Sequence, residues 1–109
     1  MGRSIKPRTV CSDQERSFIP ASGTAKEEIQ LTIEEYETIR LIDYARLSQL
    51  ECSEMMNVAR TTVQSIYETA RYKLADALMH QKAIIIKGGN YTLCHHGHDV
   101  KHCAKNINQ

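Results

Sequence analysis

A chain of 109 residues, 41% hydrophobic and 25% charged, is long enough for one globular domain with a modest core. It has no apolar run of membrane-spanning length, and its first twenty residues lack the apolar centre of a secretion signal, so a cytoplasmic protein that meets no membrane is expected. The net charge of +1 argues only weakly for a polyanionic partner, but the charge is segregated: eight acids and three bases at 26–54, seven bases and three acids at 60–105.

Residues 1–30 read as a basic arm followed by an anchoring loop. Arg3, Lys6 and Arg8 stand without an acid among the first eight residues, as in an arm that touches phosphates or in a solvated tail. The stretch 8–11 is short and β-prone. Residues 12–26 have no period and many turn formers, with Phe18, Ile19 and Pro20 expected to anchor the loop to the core.

Residues 31–82 carry helical patterns. Thr32 with Glu35 forms a capping box, in which the hydroxyl accepts from the amide of residue 35 while the glutamate reaches back to residue 32. The helix that follows ends near Tyr44. Its inward face is expected to be Ile33, Tyr36, Ile39, Ile42 and Ala45, with Glu34, Glu37 and Asp43 on the water side. A second capping box, Ser48 with Glu51, starts a short helix at 49–56 with Leu50, Cys52, Ser53 and Met56 toward its neighbour.

Asn57 suits the left-handed turn of a helix-turn-helix, and Val58 would plug the corner. In the next helix Val63, Ile66, Tyr67, Ala70, Leu74, Ala77 and Leu78 recur at spacings of three and four, which buries one face of a rod of roughly 30 Å reaching Met79 or His80. The opposite face opens with Arg60, Thr61, Gln64 and Ser65, donors of the kind base edges require, while Thr62 and Arg71 are placed to hold phosphates. A helical hairpin whose polar face meets only water has the same spacing. The second half of the rod is longer than one groove needs, which suggests packing on the first helix or on a second copy, a homodimer matching palindromic double-stranded DNA.

At 83–94 an apolar β-branched run, the turn residues Lys87-Gly88-Gly89-Asn90 and a second strand pattern predict a β-hairpin. A third strand from 8–11 would steady it and bring Cys11 toward Cys94. The expected architecture is therefore mainly α: a three-helix helix-turn-helix domain with a small hairpin, or with a three-stranded sheet if the N-terminal segment joins. The tail, 95–109, follows Cys94 with His96, His98, His102 and Cys103. Thiolates and imidazoles are the ligands of zinc or another transition metal, and Cys11 is a further recruit, although the spacing matches no defined zinc finger and solvated histidines in a polar tail fit as well.

Together the segments RTVC, FIP, LTIEEYETIRLIDYARLSQLECSEMMNVARTTV, ARYKLADAL and KGGNY resemble the small prokaryotic proteins grouped as domain of unknown function 134, or uncharacterised protein family 0251. The resemblance covers nearly all of residues 3–92, and the helix-turn-helix is more distantly similar to the promoter-reading end domain of sigma factors. It implies a DNA-reading helix-turn-helix. This chain departs from the pattern at the turn, where Asn57 and Ala59 stand in place of the usual glycine and serine ahead of Arg60, so the recognition helix lacks its hydroxyl cap. Gln64 and Ser65 also stand where glycine and arginine are frequent, and Gly23 comes one residue late.

The function expected is sequence-specific DNA binding by a transcriptional regulator. The alternative is a metal-binding or metal-sensing module whose helices serve dimerisation. An enzyme is not expected, since the chain lacks a phosphate-binding glycine loop, a nucleophile elbow and a spaced carboxylate set.

Overall fold

Over the described residues, 6–94 of a computed structural model, the chain runs β1 (Arg8–Val10), β2 (Arg16–Phe18), β3 (Glu28–Leu31), α1 (Ile33–Thr38), α2 (Gln49–Met56), α3 (Arg60–His80), β4 (Ala83–Ile86) and β5 (Tyr91–Leu93). A π-helical stretch, Ile39–Tyr44, carries α1 onward. This is a mixed α/β fold, not the mainly α one expected, because the strands form two sheets that pack with the helices.

The expected hairpin is absent, and for a physical reason. The apolar run AIII of β4 is the centre of its sheet, with β2 antiparallel on one edge and β3 parallel on the other. Both edges are taken, so β5 cannot fold back on β4. It pairs instead with β1, in parallel, with Arg8 opposite Tyr91 and Val10 opposite Leu93. The expected partnership of 8–11 with the last strand is thus present, but in a sheet of its own.

Gly88 and Gly89, at φ 72° and 114°, carry the chain from one sheet to the other. A side chain at Gly89 would run into the Glu34 carboxylate, and its Cβ would lie 2.9 Å from that of Thr32. The close approach lets the Asn90 amide donate to both Glu34 oxygens at 3.1 Å, while the Gly88 carbonyl accepts from the Ile33 amide at 2.8 Å. Turn chemistry read as a hairpin therefore belongs to a crossover seated on the start of α1.

That seat also corrects the reading of α1. Its two water-side glutamates, Glu34 and Glu37, are buried. Glu37 takes Arg40 Nη2 at 2.8 Å and Nε at 3.0 Å, and accepts from the Cys11 amide at 3.2 Å, which ties β1 to the helix. Glu35 closes the predicted box with Thr32 and also receives Lys73 of α3 at 2.7 Å. After Thr38 the turn widens, with the Ala45 amide reaching back to the Arg40 carbonyl. The extra residue per turn keeps Leu41 in the core, while Tyr36, Ile39 and Ile42 pack around it half-buried.

Segment 12–26 is also corrected. It contains edge strand β2, and Phe18 and Ile19 lie mostly in solvent instead of anchoring a loop. The core itself joins Val10, Leu31, Ile33, Leu41, Cys52, Met56, Val63, Ala70 and Ile86. Among the described residues no helix is long and apolar enough to cross a membrane.

Candidate nucleic-acid interface

The turn between α2 and α3 forms as its residues dictate. Ser48 and Glu51 make the reciprocal cap of α2, and Asn57 adopts the left-handed conformation at φ 58°, ψ 45°. The Val58 amide donates to the Ser53 carbonyl at 3.1 Å, and its side chain packs against the core at the corner. Cys52, Ser53 and Met56 turn inward as expected, but Leu50 points to solvent. Ala59 occupies the N-cap of α3 with extended backbone and no side-chain bond, so the hydroxyl cap is missing.

Along α3 the residues fully withdrawn from water are Val63, Ala70 and Ala77, two heptad steps, while Leu78 stands 76% exposed against expectation. Fixing that seam decides where the other face points. Arg60, Thr61, Gln64 and Ser65 are all exposed on it, and Arg60 has no protein partner among the described residues. Gln64 Nε2 lies 3.4 Å from Glu68 Oε2, an acid on the same face that the sequence reading left aside.

Thr62 is half-buried and borders a shallow groove with Val58, Ala59, Lys6 and Arg8. The β1–β5 ladder brings the basic arm to the turn: the Arg8 amide donates to Asn90 O at 3.1 Å, and Arg8 Nη1 donates to the Lys6 carbonyl at 3.0 Å. The strand pattern of 8–11 pointed to its pairing with the last strand, but not to the packing of β1 on α1 and α2 that sets the arm beside the turn.

Arg71 is less free than expected. It lies 3.8 Å from Asp43 and donates to the Tyr67 hydroxyl at 3.2 Å, and Tyr67 in turn donates to Asp43 at 2.6 Å. Partial burial, then the Asp43 carboxylate, pushes the Tyr67 phenol up. This chain of bonds clamps α3 to the end of the first helix. The Arg71 side chain remains 62% exposed, so an exposed, long ion pair of this kind is readily exchanged for another anion.

Arg3 of the arm and His96, His98, His102 and Cys103 of the tail lie outside the described residues. Cys11 and Cys94 stand just past matching ends of β1 and β5, with the Cys94 amide bonded to the Val10 carbonyl at 2.8 Å. Among the described residues no three His, Cys, Asp or Glu side chains are grouped to hold a metal ion.

A family profile described as "Protein of unknown function DUF134" matches residues 1–94. Similar chains include a UPF0251 protein of Desulfitobacterium hafniense strain Y51, 48% identical over 97 residues that make up 86% of this chain and 78% of that one. Another, from Caldicellulosiruptor saccharolyticus, is 50% identical over 88 residues, 81% of this chain and 63% of its own. A third, from Clostridium tetani, is 44% identical over 95 residues, 84% of this chain and 65% of its own. No solved structure matches at a significant level.

Proposed function

The chain belongs to the family described as "Protein of unknown function DUF134", and within it we propose that this protein is a sequence-specific DNA-binding regulator that reads the major groove with the start of α3. The observation that carries the reading is the exposed edge formed by Arg60, Thr61, Gln64 and Ser65 beside a groove bordered by Lys6 and Arg8. A helix end presenting long donors fits base edges, and basic side chains next to it fit the flanking phosphates.

Roles follow from reach and chemistry. Arg60 suits the paired acceptors of guanine, and Gln64 suits adenine once released from its long contact with Glu68. Thr61 and Ser65 add shorter contacts. Lys6, Arg8 and Thr62 hold the backbone, and Arg71 joins them by exchanging Asp43 for a phosphate. Arg3 extends the basic arm in the sequence.

Selection of bound sequences from random duplex DNA, run with and without zinc, tests the reading and also the candidate ligands of the tail. On the site recovered, Arg60→Ala weakens binding by about 1–3 kcal/mol and relaxes preference at one position. Arg71→Ala weakens all sequences alike and lowers the salt slope by about one. Equal losses on selected and random DNA for Arg60→Ala, or no enrichment at all, would remove the proposal.

A further inference from the structure

The solvent side of α3 changes character along its length. At helical spacing it carries Thr61, Gln64, Ser65 and Glu68 first, then Tyr72, Ala75 and Met79 with Leu78 at their side. Tyr72, Leu78 and Met79 are each more than 70% exposed. Phe18 and Ile19 of the β2 segment, also mostly exposed, share a groove with Leu78 and Pro20. Phe18, Ile19 and Leu78 thus gather at the end of α3 away from the proposed reading edge, with Met79 next to Leu78 on the same turn and Tyr72 about two turns earlier on the helix.

Two features indicate what covers this face. Aromatic side chains bury about 150–250 Å² each and aliphatic ones less, so these five at this exposure offer on the order of 500 Å² per copy and about 1,000 Å² in a pair, the lower bound for a specific interface. Four ionic groups at the rim are paired within the chain: Asp76 holds Lys82 and His80, each at 2.8 Å, and Lys82 also lies 3.5 Å from Glu27. These paired groups add no unpaired like charge to a two-fold contact, and exposed Lys26 lies at its edge, where water can reach it.

We infer that this face is the dimer interface, occupied by a second copy of the same chain related by a two-fold axis. The inference rests on the DNA-reading proposal only for its spacing argument. Gln64 lies fourteen positions before Leu78, about 21 Å at the helical rise, so copies joined there end to end hold their reading ends on the order of 42 Å apart along the axes, with the roughly 8–10 Å gap between packed helices added across them. A crossing angle short of collinear brings that to the roughly 34–36 Å repeat of duplex half-sites.

The test is the mass of the full chain in solution, by light scattering or sedimentation equilibrium at micromolar concentration. The expected mass is twice the 12.4 kDa of one chain. Ile19→Glu with Leu78→Glu, both at exposed positions, is expected to give the single-chain mass with an unchanged circular dichroism spectrum. The same variant should bind a two-half-site operator at least tenfold more weakly while binding a single half-site as the parent does. A dimer that the double variant dissolves but that binds no DNA upholds the interface and removes the DNA reading. A single-chain mass for the parent with and without DNA, or a variant that keeps the double mass, overturns the inference.

Discussion

Glu37 is the side chain whose removal should cost this fold most for its size. Its carboxylate, only 3% exposed, takes two bonds from the 11%-exposed Arg40 guanidinium and one from the Cys11 amide. Glu37→Ala leaves a mostly buried cation without its partner, in a place where Arg40 Nη1 already lacks one among the described residues. Breaking a buried pair from one side costs about 3–5 kcal/mol, a large share of the roughly 5–15 kcal/mol total stability of a small domain. At about 4–8 °C per kcal/mol the melting temperature should fall by at least about 12 °C.

Urea unfolding followed by far-ultraviolet circular dichroism measures the loss, and a thermal melt checks it. Replacing both partners, Glu37→Leu with Arg40→Met, should restore stability to within about 1–2 kcal/mol of the parent, because the penalty lies in the orphaned charge and not in the missing attraction. A loss below about 1 kcal/mol for Glu37→Ala with an unchanged denaturant slope would refute this reasoning. So would a double variant as unstable as the single one. Since Glu37 also holds β1, the single variant should loosen the basic arm before the domain melts and, under the proposed DNA reading, reduce salt-dependent affinity for duplex DNA.

Ala59→Ser supplies the hydroxyl that α3 lacks and should raise stability by about 1 kcal/mol, read from the urea midpoint. The Cys52 thiol is pushed up from 9.0 to about 12, by burial first and then by the neighbouring Glu37 carboxylate. A raised folded-state value favours the neutral thiol, so its contribution is complete below pH 9.0 and is lost as the pH climbs toward about 12. The stability of the parent should therefore fall more steeply than that of Cys52→Ala across this window, and rapid alkylation of Cys52 at pH 8 without unfolding would contradict the assignment.

What the sequence by itself determined are the features whose causes lie within a few residues. Both capping boxes, the left-handed Asn57, the uncapped Ala59 and the extent of α3 to His80 are as read, because each depends on hydrogen bonds and dihedral preferences between near neighbours. The outward direction of Arg60, Thr61, Gln64 and Ser65 followed from the apolar period of the same helix. Tertiary structure alone decided the rest. Gly88 and Gly89 look the same in a hairpin as in a crossover, and what separated the two was whether β4 had a free edge, which depends on β2 and β3 from far upstream. Glu34 and Glu37 have the spacing of a wet helix face, yet they are buried because an amide from residue 90 and another from residue 11 arrive to be bound. A carboxylate goes inside when distant donors meet it there, and no local period records where those donors come from.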